Sequence, residues 1–225
     1  MVPRAATEAL GTAFLLMAVV GSGIMAERLA GGNVALALLA NSVATGAALV
    51  ALILALGPIS GAHLNPVVTL ADAIEGGIAW REVPAYMAAQ IMGAFGGVAA
   101  AHGMFGLPLF FVSHHARGGP ALLWSEFIAT FGLLAVIWGC ARVRSSATAF
   151  AVGAYITAAY WFTASTSFAN PAVTLARAAS DTFAGIRPVD APAFIVAQLA
   201  AAVAATLCFR WLAPAQLTQA SREKA

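Results

Sequence analysis

The side chains able to hold a small polar solute are few in this chain, and most come in pairs. Asn65 and Asn170 each precede a proline, in segments 60–71 and 165–176, which superpose at an offset of 105 (170 − 65) in Ser, Asn, Pro, Val, Thr, Leu and Ala. An amide offers two N–H donors and a carbonyl acceptor, so a neutral solute with a lone pair finds a partner at each asparagine. Asparagine also caps helices, and proline fills the first helical position without wasting a donor. Asn-Pro therefore starts a helix, here twice and in matching places. Glu8 and Glu126 are costly in a membrane span and must face the bundle interior. They either relay protons or accept hydrogen bonds from the non-helical backbone before each short helix. The second reading is favoured, because irregular backbone at membrane depth has to be satisfied by protein. His63, two residues before Asn65, is a pH gate or, more often for such a residue, a brace for its own loop. Gln90 and Gln198 suit interhelical hydrogen bonding.

Other chemistry is not supported. We find no metal cluster, nucleophile–base pair or paired catalytic carboxylates, so the chain reads as no enzyme, with no catalytic residue, metal or cofactor. Cys140 and Cys208 sit in apolar segments without metal or redox spacing and read as two buried thiols. His114, His115 and Arg117 fall in an external loop and read as solvated. Gly93, Gly96 and Gly97 suit close helix packing, since no strand precedes them as a nucleotide loop requires. The formal net charge is +2 and no basic stripe exists, so nucleic acid is not an expected partner.

The elements that must position these residues belong in lipid. The chain is 61% hydrophobic and 9% charged, with mean hydropathy +0.88, far from a soluble average. Six apolar stretches, near 5–26, 34–56, 83–105, 121–141, 146–165 and 190–212, are long enough to span a hydrocarbon core of about 30 Å. The first has signal-peptide traits, Arg4 before an apolar run and small residues at 20–23, but Glu8 interrupts it and it has a partner in the second half. It is expected to stay as a helix.

The repeat extends beyond Asn-Pro. Thr7-Glu8-Ala9-Leu10-Gly11-Thr12 resembles Ser125-Glu126-Phe127-Ile128-Ala129-Thr130, and the run from Pro84 to Gln90 resembles that from Pro192 to Gln198. Each half reads glutamate helix, plain helix, Asn-Pro segment, glutamine helix. Three spans per half is odd, so the halves, approximately 1–118 and 119–225, run in opposite senses within a single domain and put a pathway at their pseudo-twofold axis. Residues 66–76 give a helix of roughly 16 Å, too short to cross. Two such helices entering from opposite faces meet near the middle with N-termini facing, each carrying free N–H groups and a partial charge of about +0.5. Such a junction repels cations and passes neutral molecules.

On these residues the chain resembles the major intrinsic protein (aquaporin) family along essentially its whole length. The resemblance implies an all-α membrane fold of six tilted helices plus two re-entrant half-helices, usually a homotetramer with one pore per subunit. The family's paired Asn-Pro-Ala boxes correspond to Asn65-Pro66-Val67 and Asn170-Pro171-Ala172. Valine at 67 departs from the pattern and reads as repacking.

A second departure bears on selectivity. The family's constriction positions, counted from the two asparagines, fall on Thr45, Ala158, Ser167 and Val173. Water-selective relatives carry an aromatic, a histidine, a small residue and an arginine there, and glycerol-conducting ones two aromatics, a small residue and an arginine. With valine for arginine, a permanent charge and a fork of donors are missing, and the mouth should be wide and uncharged. The alternative is that a neighbouring arginine replaces the missing one: Arg177 is the candidate, about one turn further along the half-helix, and carries the lower weight because it is expected to point away from the mouth. Solutes implied are water, glycerol-like polyols, urea-like molecules and undissociated metalloid acids such as arsenous acid. Many relatives also carry a mercury-sensitive cysteine at the position of Ser167.

Seven basic residues (Arg4, Arg81, Arg142, Arg144, Arg210, Arg222, Lys224) against four (Arg28, Arg117, Arg177, Arg187) favour cytoplasmic termini. Ten arginines to one lysine suggest a GC-rich bacterial genome, hence a multi-pass protein of a bacterial inner membrane, with the lipid bilayer as its partner. A proton-coupled secondary transporter is the alternative; it needs an ionisable group open to the pathway, and only Glu8, Glu126 and His63 qualify.

Overall fold

The structure is a computed structural model that describes residues 1–143 and 145–212, without the side chains of 142, 143 and 145. Of the basic residues weighed above, Arg144, Arg222, Lys224 and the Arg142 side chain therefore lie outside the described residues. The helices are α1 (Val2–Leu29), α2 (Val34–Ser60), α3 (Pro66–Ile74), α4 (Val83–Met104), α5 (Pro120–Val143), α6 (Thr148–Phe162), α7 (Pro171–Arg177) and α8 (Ala191–Leu212), with 3₁₀ turns at Trp80–Glu82 and Ser145–Ala147. No strand occurs among the described residues.

Five of these helices are long and apolar enough to cross a membrane, and α6 is a shorter apolar helix of 15 residues, about 22 Å long. Helices α3 and α7 have nine and seven residues, so neither can span a core of about 30 Å. Each begins at its Asn-Pro. Asn65 and Asn170 sit in extended backbone at the N-cap, and their side-chain Oδ1 atoms accept from Val67 N–H and from Ala172 and Val173 N–H. At the other end, α3 stops before Gly76, whose φ of +82° suits a residue without Cβ.

The helices form two similar groups. Helix α1 packs on α4 and α2, α5 packs on α8 and α6, and the groups meet where α2 crosses α6 and α3 abuts α7. Small residues set these distances. A Cβ added at Gly93 or Gly97 of α4 would overlap the α1 backbone at Ala9 or Ala13. One at Gly46 of α2 or Gly153 of α6 would overlap the other's carbonyl. Close backbone approach is how helices gain van der Waals contact in lipid, where the hydrophobic effect between them vanishes. The outer surface is apolar: Leu36, Leu39, Val43, Leu54 and Ile59 of α2 are all exposed. Cys140 and Cys208 are free and half-buried, not the fully buried thiols expected; their helices turn them partly outward.

Candidate functional site

The two segments entering the short helices share an unusual backbone. Gly61, Ala62 and Leu64 have φ of +90°, +47° and +50°; Thr166, Ser167 and Ala169, each 105 residues on, have +61°, +50° and +48°. Left-handed backbone costs a residue with a Cβ about 1–2 kcal/mol, so something must hold these turns. Glu8 does so in the first half, accepting from His63 N–H at 3.0 Å, Leu64 N–H at 2.7 Å, Ser60 Oγ at 2.6 Å and Gln90 Nε2 at 2.8 Å. Glu126 repeats the pattern with Phe168 N–H and Ala169 N–H, both at 2.9 Å, and Gln198 Nε2 at 2.6 Å. Each glutamine also donates to a threonine of its half-helix, Gln90 to Thr69 and Gln198 to Thr174, at 2.9 Å. Both carboxylates are fully buried and filled by donors, an arrangement that braces loops and leaves no free path for a relayed proton.

His63 is braced as well. Its Nδ1 lies 3.1 Å from Thr69 Oγ1 and its Nε2 3.5 Å from Asp72, with the Tyr86 ring beside it. Tyr86 donates to Ser60 O at 2.9 Å, and the guanidinium of Arg4 lies over the Tyr86 ring. The loop is thus fixed from both sides.

The half-helices lock reciprocally. Asn65 Nδ2 donates to Ala169 O and Asn170 Nδ2 to Leu64 O, each at 2.8 Å. One of each amide's two N–H groups is therefore committed to the other half, and the second remains available. Half of the amide donors expected to serve solute therefore hold the junction together.

A continuous cavity of about 610 Å³ runs past this junction. It extends from Arg4, His63 and Asp72 through Asn65 and Asn170 to Thr45, Tyr160, Ser167, Val173 and Arg177. Its middle is walled by Leu15, Val19, Leu49, Val152 and Ile156, so polar groups on an apolar tube define the route. Val67 and Ala172 do not border it. Both are fully buried, Val67 against Leu134, Trp138 and Ala205, so the valine in the first box changes packing behind the wall.

Of the four positions expected to form the constriction, Thr45, Ser167 and Val173 border the cavity and Ala158 does not. Ala158 is exposed on the outer side of α6. Two residues on, Tyr160 faces inward, with its hydroxyl 3.3 Å from Thr45 Oγ1. Helix α6 ends at Phe162 and a non-helical stretch leads to Asn170. A position counted back through that stretch depends on its length, so the count falls on Ala158 although Tyr160 borders the cavity.

Arg177 also differs from expectation. It borders the cavity and is 2% exposed. Because α7 starts at the Asn–Asn junction, one turn beyond Val173 lies nearer the mouth, on the same helix face. Its Nε donates to Ala184 O, and its guanidinium carbon lies 3.4 Å from the centre of the Phe168 ring. Arg117, expected to be solvated, folds inward and donates to the carbonyls of Gly185, Phe183 and Ser165 and to Thr166 Oγ1. Its guanidinium lies 5.1 Å from the same ring. Burial lowers the Arg117 pKa, and the charge of Glu126 partly offsets this. His114, by contrast, stays exposed and pairs with Asp181 at 2.8 Å.

Ser167 Oγ is buried without a hydrogen-bond partner on the cavity wall. Ser167→Cys is expected to make the channel sensitive to mercurials while the unaltered chain is only weakly blocked. Osmotic shrinkage rates with and without mercuric chloride check this, and strong block of the unaltered chain, relieved only by replacing Cys140 or Cys208, would contradict it.

Among the described residues, no group of His, Cys, Asp and Glu is arranged to hold a metal ion. The sequence model of the major intrinsic protein family matches residues 2–146. Aquaglyceroporin AqpS of Rhizobium meliloti (strain 1021) is 54% identical over 209 residues, 93% of this chain and 89% of that protein. Aquaporin NIP1-3 of Oryza sativa subsp. japonica is 38% identical over 175 residues, 75% of this chain and 60% of that protein. In three dimensions the chain is similar to the X-ray structure of the aquaglyceroporin from Plasmodium falciparum. The TM-score is 0.71 at 24% identity, over 97% of this chain and 98% of that one.

Proposed function

Since the chain belongs to the major intrinsic protein family and is a multi-pass membrane channel, not an enzyme, for water and small uncharged solutes such as glycerol, we propose that its pore admits solutes larger than water. One observation carries this reading: the cavity wall at the outer end combines Thr45, Tyr160, Ser167 and Val173. Valine at 173 is shorter than an arginine and has no donors of its own. Three hydroxyls, of Thr45, Tyr160 and Ser167, and the free amide hydrogens of Asn65 and Asn170 then form a sparse ladder for a molecule rich in lone pairs. Glycerol-like polyols, urea-like molecules and undissociated metalloid acids such as arsenous acid fit that chemistry.

The chain is one channel domain whose halves, approximately 1–118 and 119–225, share the pathway. It sits in a bacterial inner membrane with both termini cytoplasmic, an orientation supported by the excess of basic residues on that side. A homotetramer, each subunit with its own pore, is what membership of the family implies, and the exposed apolar face of α2 is compatible with such packing.

The test is stopped-flow light scattering on proteoliposomes with water, glycerol, urea and arsenous acid in parallel. Entry of glycerol at least about tenfold above empty liposomes, a barrier reduction of only about 1.4 kcal/mol, is the expected result. Fast water flow with every solute excluded would overturn the proposal of a wide mouth.

A further inference from the structure

Valine at 173 leaves the outer constriction without its own charge, yet a guanidinium borders the same cavity. Arg177 is 2% exposed, and none of its ion-pair distances to a carboxylate is within bonding range among the described residues. Its one side-chain hydrogen bond among those residues is from Nε to Ala184 O, so the two terminal nitrogens have no acceptor there. Glu126, the buried carboxylate of that half, is already filled by Phe168, Ala169 and Gln198. Helical side chains incline toward their helix's N-terminus. The contact with Phe168, nine residues earlier and ahead of the half-helix, shows how far back the guanidinium reaches. That places the charge over the turn that holds Val173. Arg117 sets a second guanidinium near the same ring.

We propose that Arg177 supplies the fixed positive charge of the outer constriction, reaching back from one turn further along the half-helix, with Phe168 and the Ala184 carbonyl as its holders. The mouth is then wide at residue 173 and still closed to cations, because an unpaired charge beside a narrow low-dielectric tube repels cations strongly and neutral solutes hardly at all. Size and charge selection, combined where one arginine does both, are here divided between Val173 and Arg177. The inference rests on the channel reading above.

The test compares Arg177→Met and Arg177→Lys with the unaltered chain in proteoliposomes, reading glycerol entry and potassium leak on the same vesicles. Methionine matches the volume without charge, and replacing a buried ion by an apolar residue of similar size is well tolerated. The Met variant is expected to raise potassium leak at least about tenfold, and the Lys variant to stay tight, with glycerol entry on the same vesicles showing that the pore is assembled. A folded Met variant as tight as the unaltered chain overturns the proposal. If the Met variant does not elute as folded protein, Phe168→Leu, which removes the ring holding the guanidinium, is expected to leak, and a tight Leu variant overturns it instead. Loss of glycerol entry in the unaltered chain would count against the channel reading and leave a separate mark.

Discussion

Glu8→Leu is expected to destabilise the folded channel strongly although it makes α1 a better membrane helix. Leucine at a helix centre favours insertion, and an acidic residue there opposes it. The carboxylate nevertheless receives four donors: His63 N–H, Leu64 N–H, Ser60 Oγ and Gln90 Nε2. Leucine can accept from none of them. Each buried donor left unpaired costs about 1–3 kcal/mol, so the loss is on the order of 4 kcal/mol or more. For a chain of this size, about 2–4 °C of melting midpoint is lost per kcal/mol, which gives a drop of roughly 10 °C. The left-handed backbone at Ala62 and Leu64 loses its anchor at the same time. Glu8→Gln keeps the volume and one acceptor oxygen, and an intermediate midpoint is expected. Thermal unfolding followed by size-exclusion in mild detergent decides it. A Leu variant with an unchanged midpoint and normal water flow would mean that the loop before α3 holds itself.

Val173→Arg is expected to cut glycerol entry by at least about tenfold, for which an added barrier of only about 1.4 kcal/mol suffices, while water flow persists. Val173 borders the cavity together with Thr45, Tyr160 and Ser167. A longer side chain there fills the passage between them. It also sets a second guanidinium four residues before Arg177 on the same helix face, where like charges repel. The new side chain is therefore pushed into the open cavity. Val173→Ile, which adds one methylene and no charge, is the control and should leave glycerol entry near that of the unaltered chain. Paired water and glycerol rates from the same vesicles give the answer. Unchanged glycerol entry in the Arg variant would show that the narrowest part of the route lies elsewhere, with the apolar girdle of Leu49, Val152 and Ile156 the next candidate.

Much of this molecule is legible in its residues because the rules involved are local. Asn-Pro caps and starts a helix wherever it stands, and two copies at one offset announce two short helices. The apolar runs give the spans to within a few residues at most ends: 83–105 against Val83–Met104, 190–212 against Ala191–Leu212. A glutamate inside such a run needs donors, and the non-helical stretches before the Asn-Pro helices are where donors occur.

What the sequence could not decide was direction. Each residue turns a helix by about 100°, so counting two residues wrong swings a side chain by about 200°. That is the whole difference between Ala158 on the outer surface and Tyr160 on the cavity wall. The same holds for reach. Arg177 and Arg117 stand sixty positions apart in the chain, by subtraction of their numbers, and only the folded structure brings both to the Phe168 ring. The sequence by itself determined a membrane fold, its duplication and the two asparagines at its centre, because capping and hydrophobic span depend on neighbours in the chain. The tertiary structure alone decided which side chains face the route and where its positive charge lies, because those depend on helix rotation and on long side chains reaching across loops.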